Sequence, residues 1–206
     1  VNLPASAAVP CAASTSVIAA LRAATAERHA AIERLLRLDA DFDRDHYARV
    51  VAGFDRFVRG WEPLIAAALP GLAGWLAARS RRAFLQRDMA ALGNAAPREP
   101  MALPRLHIDS ADAAWGSLYV LEGSALGGQV IARRVGRELG ITPATGAAYF
   151  AGWGIETGAR WRAFCERLEI EVGPAAEARQ RAGAGARDTF DALLGIFRLT
   201  LNEPTR

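Results

Sequence analysis

The sequence predicts an all-α fold, a single domain of roughly seven to nine helices. Three observations lead there. Apolar residues recur at offsets of three, four and seven along most of the 206 residues, the spacing of one buried helical face. No stretch shows the apolar–polar alternation and turn punctuation of paired strands. The chain is 51% hydrophobic, enough for helices to bury one another around a core and too much for wholesale disorder. No internal repeat of fixed period is present.

Residues 1–13 hold two prolines among small residues and read as a flexible tail, which leaves 14–206 for the domain. The tail lacks a basic segment and its prolines interrupt the apolar stretch, so it does not read as a secretory signal. A cytoplasmic location is expected. No run of about 18 apolar residues exists, so no membrane span is expected either.

The first helix starts with Ser14, Thr15 or Ser16 as its cap and carries the stripe Val17, Leu21, Thr25, Ile32 and Leu35. The acidic segment Asp39 to Asp45 is a connection. A second helix runs from about Asp45 to Ala68 through Tyr47, Val50, Val51, Phe54, Phe57, Val58, Trp61, Leu64 and Ile65, and Pro70-Gly71 stops it. Shorter helical segments follow near Leu72–Ala78 and Arg82–Leu92. Residues 93–107, with Pro97, Pro100 and Pro104, form a loop. Asp109 can cap a long helix that carries Trp115, Leu118, Tyr119, Leu121, Val130, Ile131 and Val135 and ends at Gly140. After an aromatic, glycine-rich stretch at 145–155, helices are expected from Thr157 to Glu169 and from about Pro174 to Leu201.

The net charge is +3 and the pI about 9.4, yet this is no signature of nucleic-acid binding. All 25 basic residues are arginine, scattered along the chain among 22 acidic ones, whereas a nucleic-acid surface needs them on one face. Two cysteines, Cys11 and Cys165, are too few for a disulfide framework.

Three features could carry chemistry. The first is His29, four residues after Thr25 and three before Ile32, beside the buried stripe of the first helix. Glu33 stands one turn on, where a carboxylate can hold one ring nitrogen and leave the other for a metal. A surface ion pair at the core edge would show the same spacing. His46, in a cap-rich turn, and His107, after the proline-rich loop, read as surface residues. No zinc-type cluster is present, but one histidine suffices for a haem with an open axial position.

The second feature is Gly123-Ser124-Ala125-Leu126-Gly127-Gly128 inside a helical run. Each glycine disfavours the helix by about 0.8–1 kcal/mol relative to alanine, so three need a compensating reason. Gly123 and Gly127 fall one turn apart and open one face of the helix. Close approach of a flat ligand and close helix packing are both open readings. Nucleotide-binding loops of the GxGxxG or GxxxxGK[ST] kind are absent. The third feature is Arg22, two turns before His29, together with Arg160 and Arg162 flanking Trp161, any of which can grip a carboxylate in bidentate fashion.

On these residues the chain resembles the bacterial haem oxygenases, especially the phytochrome-associated group. Leu21 to Glu33 is similar to the family's proximal helix, and Leu118 to Gly128 to its glycine-rich distal helix. Trp161-Arg162-Ala163-Phe164 and Phe190 form a weaker third anchor. The resemblance spans about residues 16–200 in order.

It implies a haem held between proximal and distal helices, acting as both cofactor and substrate. His29 would bind the iron and Glu33 would orient the ring. Gly123, Gly127 and Gly128 would bring the distal backbone against the haem, and Phe190 would pack on its edge. Arg22 and Arg162 would hold propionates, helped by Tyr119 or Arg160. With O2 and electrons from an external donor, such as ferredoxin or a reductase, the products would be biliverdin, ferrous iron and carbon monoxide. A bacteriophytochrome could receive the biliverdin.

Ser124 stands where many members carry a water-ordering aspartate, and it can still donate and accept. Two other readings fit the same fold. One is a non-catalytic haem binder. The other is an enzyme acting on another small molecule through a nucleophilic cysteine, for which Cys165 would be the candidate.

Overall fold

A computed structural model describes residues 16–37, 42–94, 103 and 106–202. Among them are eight α-helices and no strand: α1 (Val17–Leu36), α2 (Arg44–Ala68), α3 (Ala73–Ala77), α4 (Arg82–Ala91), α5 (Ala111–Leu139), α6 (Ala148–Ala151), α7 (Thr157–Val172) and α8 (Ala176–Asn202). Short 3-10 turns at Pro70–Leu72 and Gly154–Glu156 precede α3 and α7. The expected tail at 1–13 and most of the 93–107 loop lie outside the described residues.

Helix ends follow side-chain chemistry. Ser16 caps α1 by accepting from the Ala19 N–H at 3.1 Å, and Asp43 caps α2 by accepting from the His46 N–H at 2.7 Å. Ser110, not Asp109, caps α5. It has extended backbone angles, and its hydroxyl accepts from the Ala113 N–H at 3.2 Å. The helix therefore starts one residue later than expected. It ends as predicted at Gly140, whose left-handed φ of 68° suits glycine. Helix α7 runs past Glu169 to Val172 because Leu168 and Val172 both belong to the core. Leu64 falls off the α2 stripe and is partly exposed, while Leu36 rather than Leu35 is the buried residue at the end of α1.

Helix α8 is the central strut, packing on α1, α2 and α5. Its contact with α5 brings backbone to backbone. A Cβ on Gly116 would overlap the Ala182 carbonyl, and one on Gly185 would overlap the Ala113 carbonyl. A polar chain crosses the same junction. The Trp61 Nε1–H donates to Ser117 Oγ at 2.7 Å, Ser117 and Thr189 hydroxyls meet at 2.6 Å, and Thr189 donates to the Gly185 carbonyl at 2.7 Å. Because Thr189 uses its proton on Gly185, Ser117 is the donor to Thr189, and each hydroxyl is satisfied.

Alanine normally stabilises a helix relative to glycine. Gly185→Ala should instead destabilise the protein by about 1–3 kcal/mol, the usual range for overpacking. A urea titration of the haem-free protein reads this directly. An unchanged midpoint would contradict the backbone contact.

Candidate functional site

Helices α1 and α5 both rest on α8 and both touch α7, yet they barely touch each other. The space between them is the candidate site. His29 projects from α1 with its side chain 61% exposed, and its ring lies edge-on to the Phe190 ring of α8 at 6.0 Å and 75°. Its Nδ1 is 3.5 Å from Glu33 Oε2. That distance orients the Nδ1 side of the ring without making a strong hydrogen bond. Residue 29 lies about 40–60° around the axis from the buried Thr25 and Ile32, at the edge of the packed face, and its imidazole is exposed there.

The facing side of α5 is a strip of missing or apolar side chains. A Cβ on Gly127 would meet nothing within 4 Å, and one on Gly123 would touch only the Trp161 ring at 3.5 Å. Leu126 and Val130, on the same side, are exposed. Tyr119 begins the strip, with its ring 5.9 Å from that of Trp161. Its hydroxyl reaches Arg22 and Thr25 of α1, which fixes the direction this side of α5 faces. Burial holds the Tyr119 phenol protonated, with its pKa above the usual range.

The arginines divide. Arg22 is exposed next to Tyr119. Arg162 is also exposed, on the side of α7 that turns toward α1. Seven residues on, Glu169 accepts from the Val17 and Ile18 N–H groups at 3.0 and 3.2 Å and so caps α1 from α7. Arg160 points elsewhere. It donates to the Ala78 carbonyl at 3.0 Å, lies 3.6 Å from Glu156 and covers the Trp153 ring at 3.9 Å. This engagement corrects its expected role as a helper at the mouth.

Two glycine-string residues also face away. A Cβ on Gly128 would lie 2.8 Å from the Phe150 carbonyl, so this glycine serves the α5–α6 contact rather than the cleft. Ser124 donates to the Leu121 carbonyl at 2.7 Å and accepts from Arg81 Nη2 at 2.8 Å, which leaves it one free lone pair. Sequence reasoning misses Arg81. Its guanidinium covers the buried Tyr149 ring at 4.4 Å and bonds the Leu121 carbonyl, a long-range arrangement with no local signal. Glu122 points away from the glycine side and pairs with Arg79 at 2.7 Å.

The other histidines are peripheral. His46 Nε2 meets the Leu36 carbonyl at 2.7 Å and ties α2 to the end of α1, so it is more than a surface residue. His107 is exposed, 3.6 Å from Asp188. Cys165 is half-buried, and burial together with Glu169 pushes its thiol above the ordinary range. That disfavours the thiolate a nucleophilic role requires. The thiol should therefore alkylate slowly at neutral pH and faster only as pH rises past the ordinary thiol range. Cys165→Ala should leave haem binding unchanged; failure of the unmodified protein to bind haem at all would revive the cysteine reading.

An exposed imidazole with Phe190 beside it, a glycine-opened apolar side of α5 and the exposed Arg22 and Arg162 suit a flat, largely apolar, anionic ligand. No group of three or more His, Cys, Asp or Glu residues that could hold a metal occurs among the described residues. A single histidine serves a metal that brings its own equatorial ligands, and the chemistry of these side chains suits haem. Fold and side-chain chemistry together suit the class of helical haem-binding proteins.

The comparisons with known proteins carry this further. The sequence model of the Heme oxygenase family matches residues 15–198, and the chain belongs to that family. A heme oxygenase from Xanthomonas campestris pv. campestris (strain 8004) is 37% identical over 151 residues, covering 72% of this chain and 86% of the relative. In fold, the chain is similar to the Neisseria meningitidis heme oxygenase solved with NO and CO bound, with a TM-score of 0.76 at 23% identity over 90% and 92% of the two chains. The Leptospira interrogans heme oxygenase gives 0.72 at 18% identity, covering 89% of this chain and 98% of that one. Haem-free heme oxygenase 2 of Chlamydomonas reinhardtii gives the same score and identity, covering 89% and 97%. The protein is accordingly a haem-degrading enzyme. No helix among the described residues is long and apolar enough to cross a membrane.

Proposed function

We propose that this enzyme holds haem through His29 and converts it, with O2 and electrons from an external donor, to biliverdin, ferrous iron and carbon monoxide. The observation that carries the reading is the pairing of an outward-facing imidazole on α1 with a side of α5 where Gly127 leaves open space. Haem supplies the redox-active iron and is itself the molecule oxidised.

The protein's part is to hold, orient and exclude. His29 offers Nε2 to the iron while Glu33 steadies the Nδ1 side. Phe190 supports the imidazole from α8. Gly123 and Gly127 let the α5 backbone approach the ring plane, and Leu126 and Val130 keep water from its edge. Arg22 and Arg162 bind propionates, and protonated Tyr119 donates beside Arg22. By holding the propionates, Arg22 and Arg162 would orient the bound haem and so influence which biliverdin isomer forms.

A ferredoxin or a reductase is the donor we propose, and the cytoplasm the location. Similarity of the distal motif to the phytochrome-associated group supports a bacteriophytochrome as the acceptor of biliverdin. The test of the orienting roles is haem titration and product-isomer analysis of Arg22→Gln and Arg162→Gln. Each should weaken haem binding about tenfold, in keeping with a charged hydrogen bond, and broaden the biliverdin isomer distribution. Unchanged affinity and isomer ratio in both variants would remove the arginines from the site.

A further inference from the structure

Between Thr25 and Ile32, helix α1 has no buried side chain, and His29 lies in the middle of that interval. Within this stretch apolar packing is light, Ala31 being only partly buried against the core. A specific polar contact reinforces it. Arg28 Nε donates to Asp191 Oδ1 at 2.9 Å and Nη2 donates to Oδ2 at 3.0 Å, a bidentate pair between α1 and α8. Arg28 directly precedes His29, and Asp191 directly follows Phe190, against whose ring His29 stands edge-on. Two successive residues of α1 thus engage two successive residues of α8.

Consecutive helical residues are set about 100° apart around the axis, so pinning residue 28 in a planar, two-bonded contact also sets the direction in which residue 29 leaves the helix. We propose that the Arg28–Asp191 pair is a positioning device for the haem ligand. It fixes the rotation of α1 on α8 so that the His29 imidazole stays braced on Phe190 and presents one orientation to the cleft. The inference rests on His29 being the iron ligand. The half-exposed pair is poorly placed to act mainly as a stability element, since exposed ion pairs contribute little to folding. Its fork geometry is what a point charge such as lysine cannot reproduce.

The test uses full-length Arg28→Gln, Asp191→Asn, the double variant, Arg28→Lys, and Arg34→Gln as a control on the exposed side of α1. The readouts are the His29 ring signals of the haem-free protein by NMR, the ferric haem absorption and EPR spectra, and the rate of haem loss to excess apomyoglobin. Each single substitution at the pair should disperse the His29 signals, mix the ferric spectrum and speed haem loss about tenfold, within the range that residues in contact span. The double variant should be no worse than either single one. Arg28→Lys should restore the loss rate only in part, and Arg34→Gln should match the wild type.

Wild-type spectra and loss rates in both single variants, or single effects that add in the double variant, would overturn the proposal. If Arg28→Gln does not fold, Asp191→Asn and Arg28→Lys give the same decision. His29→Ala separates the two levels. Retention of a histidine-ligated spectrum there overturns the ligand assignment and this inference with it. Loss of that spectrum beside wild-type behaviour of the Arg28 and Asp191 variants overturns the positioning role alone.

Discussion

Substituting His29 by alanine is expected to abolish the histidine-ligated haem spectrum and weaken haem binding by more than about 100-fold, beyond the effect usual for outer-shell partners of a metal ligand. Turnover should fall below detection. The fold should not suffer: the side chain is 61% exposed, beside Glu33 and edge-on to the Phe190 ring, so stability should change by no more than about 0.5 kcal/mol. Added imidazole, which can fill the vacated position, should restore a ligated spectrum. Haem titration followed by absorption spectroscopy, with thermal unfolding of the haem-free form as the control, checks all three points. A ligated spectrum in the variant without added imidazole would place the ligand elsewhere.

Gly127→Leu should separate stability from function with opposite signs. In the haem-free protein the new side chain enters open space on a helix. It should therefore gain up to about 1 kcal/mol of stability, as replacing a mid-helix glycine by leucine normally does. At the proposed site the same side chain would enter the space assigned to haem, so haem would be displaced or tilted. Misplacement by about 1 Å is enough to cost about 100-fold in rate, and a leucine moves the ligand further than that. Gly128→Leu, one residue on, should do the reverse of the first effect. Its Cβ would press on the Phe150 carbonyl at 2.8 Å and destabilise the haem-free protein. Urea titration and single-turnover haem decay on the two variants give the comparison. Equal stability losses at both positions would mean that the glycine string serves helix packing alone.

Helix periodicity makes most of the fold legible in the amino-acid sequence. The stripes of α1, α2 and α8 are local patterns, and so are the Pro70-Gly71 stop and the Gly140 end. His29, Glu33 and Gly127 are legible in the same way, because each shows itself at helical spacing. What spacing does not give is direction around the axis once a helix is packed on two or three sides. Spacing puts Gly123 and Gly127 on one face but does not say what Gly128 meets. The position of α6 makes Gly128 a packing residue, just as Ala78, Glu156 and Trp153 together engage Arg160. Gly116 and Gly185 give no signal, since their reason lies on the opposing backbone. Arg28 and Asp191 are 163 positions apart, and neither has a local pattern that names the other.

The protein is expected to turn haem over rather than merely store it. The direct measurement is aerobic incubation of the haem-loaded protein with ascorbate or a ferredoxin system, followed by absorption and by chromatography of the product. The Soret band should disappear in step with the appearance of biliverdin, carbon monoxide and iron that a ferrous chelator captures. A Soret band that persists under reductant and oxygen, with His29 still ligating the iron, would contradict the account and leave a haem-binding protein without the reaction.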